Sequence, residues 1–291
     1  MVFQNYVGHA APFILICSLA LPGSVHAAQI FSSAGYAPAD IQKKVDDFRD
    51  ELGDLNPFTP ENFDDGRRQI NWDAAPDAIS DPAAFPGDFF NGPAAPRARG
   101  IEFKGNDDYA GGGRGAKGFQ LSSTAASGEP VEFGFEKNLQ TFSPERLFAP
   151  TGGTVFDVLF FDPADQTTPA LTDGFGAVFT NVIDNDYVYM SFFDAFDNLL
   201  AQEYVEESGA GGLSFLGASF KDNVLAKVTI VAGLFAVDDH YANGSNVVAM
   251  DDFIFGEPIN PAPVPIPASL FLLLSAFAPL AYRHRAKLKA A

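Results

Sequence analysis

The 291-residue chain is 47% hydrophobic, holds one cysteine and carries a formal net charge of −19, a composition typical of one large globular domain or two small ones. All 37 acidic residues but only 14 of the 18 basic ones lie within 28–263, so this strongly acidic segment repels the phosphates of nucleic acid. The cysteine, Cys17, lies in an N-terminal apolar segment. Without that segment the chain has no thiol for a disulfide, a zinc site or a nucleophile.

Residues 1–27 have the features of a secretory signal peptide. An apolar stretch at 10–21 is followed by Pro22 and Gly23, and small residues up to Ala27 suit cleavage before the next residue. The beginning of the chain departs from the usual pattern, because it contains His9 but no Lys or Arg. We therefore predict that the protein is exported.

The segment 28–100 is expected to contain one helix and then a long, ordered loop rich in Pro and Gly. Four apolar residues at helical spacing predict the helix. They are Ile41, Val45, Phe48 and Leu52. Pro38 suits the first turn of this helix, and Gly53 suits its end. The remainder contains short apolar pieces such as "RRQINWD" and "DFFNG" and is expected to be an ordered loop with one strand at most, or else a linker.

The segment 101–258 changes to short β-rich runs separated by turn residues. The predicted strands lie in "RGIEFKG", "GFQLSS", "PVEFGFE", "TVFDVLFFD", "FGAVFTNVI", "DYVYMSFFDA", "NLLAQEYVE", "GLSFLGASF", "VLAKVTIVAG" and "NVVAMDDFIFG". Polar residues at 194–198 and at 221–223 have the form of hairpin turns. Many short strands with no helix between them predict an all-β fold, an antiparallel β-sandwich of jelly-roll type with one N-terminal helix. A barrel is the alternative.

Residues 259–291 form a C-terminal tail with a proline motif, an apolar run at 268–282 and a basic tip. The motif consists of Val264, Pro265, Ile266, Pro267 and Ala268. The apolar run is shorter than the roughly 20 residues that cross a bilayer comfortably, and Arg283 and Arg285 would hold the tip on the cytoplasmic side. A plain membrane anchor is one interpretation.

The tail also resembles the PEP-CTERM sorting tail of the VPLPA type, with Ile266 at the position where Leu is usual. This resemblance implies an exosortase-like membrane enzyme as a partner. It also implies a transient association with the membrane through the tail, followed by delivery to the cell surface or the extracellular matrix.

The body of the chain, from about residue 37 to 258, resembles a family of uncharacterised secreted bacterial proteins that often carry such tails. The resemblance rests on "GRRQINWDAAPDAISDP", "FSPERLFAP", "FGAVFTNV", "SFFDAFDNLL", "LSFLGASF" and "VVAMDDFIFGEP". Family members commonly have a glycine in the turn that is filled here by Phe196, Asp197 and Asn198. The resemblance implies a single architecture and brings no established activity.

Two patterns that suggest catalysis have simpler interpretations. Residues 113–118 match G-x-G-x-x-G, but the dinucleotide fingerprint needs a strand before it and a helix after it. A strand-like run follows here, so we predict a hairpin loop. His240 is the one histidine within 28–263, and no G-x-S-x-G elbow accompanies it, so we interpret it as a loop residue. These observations predict a protein that is not an enzyme.

Paired acids at turns and strand ends are the candidate metal ligands, because Ca²⁺ prefers several carboxylate and carbonyl oxygens at ~2.4 Å. The pairs are Asp107/Asp108, Asp184/Asp186, Asp238/Asp239 and Asp251/Asp252. The last pair is the best candidate, because its segment resembles the last strand of carbohydrate-binding jelly rolls that hold a structural calcium. Strand alternation would place only one of these two acids on the core side. Solvent-facing turn residues are the alternative.

Aromatic side chains offer a different candidate surface, a platform on which sugar rings stack. The candidates are Trp72, Tyr109, Tyr187, Tyr189 and Tyr241, although most are expected in the core. The sequence thus predicts a secreted, surface-sorted, non-catalytic β-sandwich of the extracellular polysaccharide or biofilm matrix, with a structural or glycan-binding role. The alternative is a polysaccharide-active hydrolase or lyase that uses two carboxylates about 5–9 Å apart.

Overall fold

Twelve strands in the described part of the chain form two antiparallel sheets. The computed structural model describes residues 27–109, 112–128, 130, 133–134, 139–239 and 247–261. The strands are β1 (Ala28–Gly35), β2 (Arg67–Ile70), β3 (Ile101–Gly105), β4 (Gly118–Leu121), β5 (Phe148–Thr151), β6 (Val155–Phe160), β7 (Gly174–Thr180), β8 (Val188–Phe193), β9 (Leu199–Tyr204), β10 (Leu213–Phe220), β11 (Lys227–Ala232) and β12 (Ala249–Gly256). The helix α1 spans Pro38–Leu52.

The two sheets make the predicted β-sandwich and not the alternative barrel. A seven-stranded sheet has the order β1-β10-β7-β12-β5-β4, with β2 also paired to β12, and a five-stranded sheet has the order β3-β6-β11-β8-β9. The all-β prediction is therefore confirmed. Of the predicted strands, "PVEFGFE" falls largely outside the described residues.

The core between the sheets is built around one tryptophan. Trp72 is fully buried and stacks on Phe148, with ring centroids 4.4 Å apart and planes 8° apart. Phe103 and Phe253 contact the same indole from the two sheets. The indole N–H donates to the backbone oxygen of Asp251 at 3.1 Å, which satisfies the one polar atom that burial of the ring would otherwise leave unpaired.

Helix α1 covers the outer face of the seven-stranded sheet. Its four predicted apolar residues are all buried, which confirms the helix and its packing side. Phe48 lies over Gly176 and Gly217, which are cross-strand partners in β7 and β10; a Cβ on either glycine would stand 2.8–3.1 Å from the Phe48 ring. The small residues thus make room for the ring.

Two connections differ from the sequence predictions. The turn at 194–198 joins β8 and β9 as an antiparallel hairpin, as predicted. The residues 221–223 do not form a hairpin, because β10 belongs to the seven-stranded sheet and β11 to the five-stranded one. Polar turn residues mark a change of chain direction, and they do not specify whether the next strand pairs with the last one or crosses to the other sheet.

The segment 28–100 contributes more to the sandwich than the sequence indicated. β1 pairs with β10 along its whole length, and β2 pairs with the second half of β12. Two strands of the seven-stranded sheet therefore come from before residue 101, in addition to the helix. Helix α1 contacts strands of the seven-stranded sheet, and among the described residues no α-helix lies over the outer face of the five-stranded sheet, which carries the candidate site.

Candidate functional site

A row of polar side chains crosses the outer face of the five-stranded sheet. Strand register places five residues side by side, one from each strand. This polar row consists of Lys104, Asp157, Thr229, Ser191 and Gln202. The residues that alternate with them in sequence belong to the buried core between the sheets, so the polar row faces away from that core.

Hydrogen bonds join neighbouring members of the polar row. Thr229 Oγ1 donates to Asp157 Oδ1 at 2.6 Å, and Ser191 Oγ donates to Gln202 Oε1 at 3.1 Å. Asn106, from the loop after β3, donates its side-chain amide to both carboxylate oxygens of Asp157 at 2.9 and 3.0 Å. These bonds join the row in two pairs, Asp157 with Thr229 and Ser191 with Gln202, and they hold those side chains in fixed positions.

The Asn106 contact brings an aromatic residue onto the same face. The Asn106 Oδ1 atom accepts hydrogen bonds from the backbone N–H groups of Asp108 and Tyr109, both at 3.1 Å, which is the pattern of an Asx turn. The turn places the Tyr109 hydroxyl 2.6 Å from the Oγ atom of Ser191. Tyr109 is thereby fixed over the polar row by its hydroxyl and by the backbone turn.

Three tyrosines form a continuous aromatic path on this face. The ring centroids of Tyr109 and Tyr189 are 6.4 Å apart, and those of Tyr189 and Tyr204 are 5.2 Å apart. We call this set the tyrosine face. Tyr204 is 49% exposed, and Tyr109 and Tyr189 are half-buried. Partial burial is the main reason that the pKa of Tyr189 is raised, and the two neighbouring phenols raise it further.

The 194–198 hairpin extends the apolar part of the face. Lys227 lies over the Phe193 ring, with Nζ 4.9 Å from the centroid, and its ammonium pairs with Asp197 at 2.6 Å. Asp197 adopts a positive φ of 60°, and Asp194 Oδ1 accepts from the backbone N–H of Phe196 and of Asn198. These contacts hold the turn at Phe196, Asp197 and Asn198 without a glycine.

The structure places the aromatic candidates from the sequence in different parts of the molecule. Tyr109 and Tyr189 lie together on the tyrosine face. Trp72 does not, because it is fully buried at the centre of the core, so its assignment to a platform was wrong. Tyr187 is exposed and directly precedes β8, and Tyr241 lies outside the described residues. Sequence reasoning missed Tyr204 and Gln202, although the alternation in "LLAQEY" places both on one face of β9.

Both acids of the pair in β12 are buried. Strand alternation predicted that only one of them would lie on the core side, and that prediction was wrong. Asp251 and Asp252 are 0% and 2% exposed, and both accept a hydrogen bond from Ser143 Oγ. The pairing register of β12 with β7 shifts between Met250 and Phe253, and such a bulge turns consecutive side chains toward the same side.

The buried acidic pair already has protein donors. Asp251 Oδ2 accepts from the backbone N–H groups of Phe142 and Ser143 at 2.6 and 3.0 Å, and Asp252 Oδ2 pairs with Arg49 at 2.8 Å. Burial, reinforced for Asp251 by the neighbouring Asp252 carboxylate, raises the pKa of each acid. This cluster joins helix α1, the "FSPER" segment and β12, so it ties three parts of the chain together.

The remaining acidic pairs serve local structure. Asp107 pairs with Lys117 at 2.6 Å, and Asp108 is exposed. Asp184 accepts from the backbone N–H of Asp186, and Asp238 accepts from that of Gly152. Within the described ranges no three His, Cys, Asp or Glu side chains converge in a way that would hold a metal ion.

The glycine pattern at 113–118 lies in a connection between the two sheets. β3 precedes it in the five-stranded sheet, and β4 follows it in the seven-stranded sheet, so it is neither a phosphate loop nor the predicted hairpin loop. His240 lies outside the described residues, as do residues 1–26 of the predicted signal peptide 1–27, the predicted sorting motif 264–268, and Arg283 and Arg285. Among the helices that the structure describes, none combines the length and apolar character needed to cross a membrane.

The fold and the site together define an all-β sandwich with an aromatic patch on the outer face of its five-stranded sheet. Comparison of the chain with protein-family models, with curated proteins and with solved structures gave no match. The function is therefore argued from the site itself.

Proposed function

We propose that this protein is a secreted, surface-sorted, non-catalytic component of an extracellular polysaccharide or biofilm matrix that binds glycan through its tyrosine face. The observation that carries the proposal is the set of three adjoining tyrosines beside the hydrogen-bonded pairs of the polar row, on a sheet face over which no described α-helix lies.

The chemistry of this face suits a sugar chain. Pyranose rings present C–H groups on their faces and hydroxyls at their edges, so they bind best where aromatic rings adjoin hydrogen-bonding groups. Tyr204 offers an exposed ring, and Gln202 offers an exposed amide beside it. Hydrogen bonds hold Tyr109 in place before any ligand arrives, and such preorganisation lowers the entropy cost of binding.

The carboxylates support a binding role more than a hydrolytic one. A glycosidase that uses two carboxylates needs them open to the substrate. The closely spaced pair Asp251/Asp252 is buried beneath Phe142 and Ser143, which donate hydrogen bonds to it. Asp157, the carboxylate within the polar row, is engaged as well, since it accepts from Asn106 and Thr229.

Binding assays on solid polysaccharides test the proposal directly. The purified full-length protein is incubated with cellulose, chitosan and alginate, which represent neutral, amino and uronic-acid glycans. We expect retention on at least one of them and a roughly tenfold weaker Kd for Tyr204→Ala, a loss of about 1.4 kcal/mol. Tyr36→Ala is the matched control, because Tyr36 is 72% exposed but follows β1 in the other sheet.

The same samples test the enzymatic alternative. Release of reducing ends from any of the three glycans, abolished by one Asp or Glu substitution that leaves the melting temperature unchanged, would establish a hydrolase and contradict the non-catalytic proposal. Two results would contradict glycan binding by this face. One is a wild-type protein that binds none of the three glycans, and the other is a Tyr204→Ala variant that binds as well as wild type.

The sorting part of the proposal rests on the sequence of the tail. We propose that the exosortase-like enzyme acts on the motif at 264–268 after export, and that the body then reaches the cell surface or the matrix. Replacement of Pro265 and Pro267 by alanine is expected to retain the protein in the membrane fraction. Unchanged distribution between membrane and matrix fractions would contradict this mechanism.

A further inference from the structure

We infer that a cleft at one end of the five-stranded sheet is a second subsite of the tyrosine face and takes one neutral sugar ring of the same chain. This inference rests on the proposed glycan-binding function, and it names the chemical class of the ligand. The cleft has a volume of about 350 Å³, within the range of small-molecule sites. We call it the rim cleft.

The strands that carry the tyrosine face lead into the rim cleft. Tyr189 in β8 lies beside Val231 in β11, and Val231 lies beside Val155 in β6. Gly233 lies two residues beyond Val231 and directly precedes the lining residue Leu234, and Thr154, which lines the cleft, directly precedes Val155. Two residues along a strand cover about 7 Å, so the cleft begins roughly one step beyond the Tyr189 row.

Arg114 connects the two parts of this surface. Its Nη2 atom donates to Thr154 Oγ1 at 3.0 Å and to the backbone oxygen of Gly233 at 2.6 Å, which fixes the guanidinium at the wall of the rim cleft. The positive charge of Arg114 also reaches Tyr189, whose pKa it lowers against the opposing effect of burial. Both described hydrogen bonds use Nη2, so the N–H groups of Nε and Nη1 are left as donors for a ligand.

The lining of the rim cleft has an apolar side and a polar side. Leu234, which is 37% exposed, and Ala236 supply the apolar surface, and Arg114, Thr154, Asp238 and Asp239 supply the polar groups. Three glycines complete the wall. At one of them, Gly153, a Cβ would stand 2.3 Å from the backbone oxygen of Gly115, so the absence of a side chain lets the two loops approach each other there. A lining that combines apolar surface with hydrogen-bond donors and acceptors suits a sugar ring.

The charges of the rim cleft select against acidic sugars. Two carboxylates and one guanidinium line it, and the segment 28–263 carries 37 acidic residues against 14 basic ones. A uronic acid would therefore enter a region of negative potential. The hydroxyls of a neutral hexose donate to carboxylates and accept from a guanidinium, so a neutral ring matches both kinds of group.

Titration of wild-type and variant full-length protein with sugars of two lengths tests this inference. The probes are cellohexaose, laminarihexaose and maltohexaose, the corresponding disaccharides, and an alginate hexamer as the acidic control. The variants are Leu234→Ala, which removes the apolar side of the rim cleft, and Tyr204→Ala, which truncates the tyrosine face. Kd is measured by calorimetry for the hexamers, and disaccharide binding is measured by saturation-transfer NMR.

We expect both variants to weaken binding of the preferred neutral hexamer at least fivefold, and only Leu234→Ala to abolish the disaccharide signal. The inference would be overturned by a Leu234→Ala protein that melts normally and binds hexamers and disaccharides like wild type. If Tyr204→Ala weakens hexamer binding in the same experiment, the proposed function is still supported. Failure of wild type to bind any hexamer would overturn the inference, and the retention assay on cellulose, chitosan and alginate would test the proposed function separately. Equal affinity for the alginate hexamer would refute the neutral class.

Discussion

Replacing Asp173 by asparagine is expected to stabilise the protein at alkaline pH. Asp173 directly precedes β7, and its Oδ1 atom is buried without a hydrogen-bond partner. Burial, with a contribution from nearby Glu51, raises the pKa of this carboxyl from 3.8 to about 6. The folded state therefore holds a carboxylate that costs free energy whenever it is ionised.

The size and pH dependence of the effect follow from the two pKa values. A rise of about two pKa units corresponds to roughly 3 kcal/mol, and we expect a gain of about 1–2 kcal/mol because the new amide also loses hydration. A carboxyl with a raised folded pKa destabilises fully above about pH 6, and this cost disappears as the pH falls to the unfolded value near 3.8. The gain from Asp173→Asn should therefore be present at pH 8 and absent near pH 3.5.

Urea unfolding of wild type and variant at these two pH values measures the difference. Asp222→Asn is the matched control, because Asp222 is exposed in a turn, and it should change the free energy of unfolding by less than about 0.5 kcal/mol. An equal gain from Asp173→Asn at both pH values would refute the electrostatic reasoning, and so would a loss of stability at pH 8.

Three further predictions concern buried contacts. Glu257→Gln should lower the free energy of unfolding in urea by about 3 kcal/mol, because Arg68 and Glu257 form a fully buried pair at 2.7 Å; a change below 0.5 kcal/mol would contradict this. Gly217→Ala should cost about 1–3 kcal/mol in the same assay through overlap with the Phe48 ring, and wild-type stability would contradict the packing. Asp252→Ala should lower the melting temperature equally in calcium and in EDTA, since it removes the hydrogen-bonded partner of Arg49, whereas an EDTA effect on wild type that the variant abolishes would instead establish the predicted calcium site.

The sequence predicted those parts of the fold that local pattern determines. Helix α1 was predictable in extent and packing side, because its apolar residues repeat at helical spacing and its partner is a single sheet face. The alternating strands of the second half were predictable for the same reason. β5 was missed because it contains Pro150, which propensity places outside strands, and β1 was missed because "AQIFSSAG" has little apolar alternation.

The candidate site depended on pairings that no local pattern specifies. Tyr109 and Tyr189 were candidates individually, but their contact requires the loop after β3 to fold back over β8. The burial of both Asp251 and Asp252 required a bulge in β12. The crossing at 221–223 was likewise decided by the sheet in which β11 finds partners. In each case long-range strand order fixed the outcome, and the local residues permitted more than one.

Hydroxyl-radical footprinting of the full-length protein with and without its bound glycan measures whether the tyrosine face is the binding site. We expect the ligand to lower the oxidation rate of Tyr204, which is 49% exposed in the free protein, and that of its neighbour Tyr189. The rate at Tyr36, on the other sheet, should stay constant. Protection of Tyr36 with no change at Tyr204 would show that the glycan binds elsewhere, and the tyrosine face would not be its site.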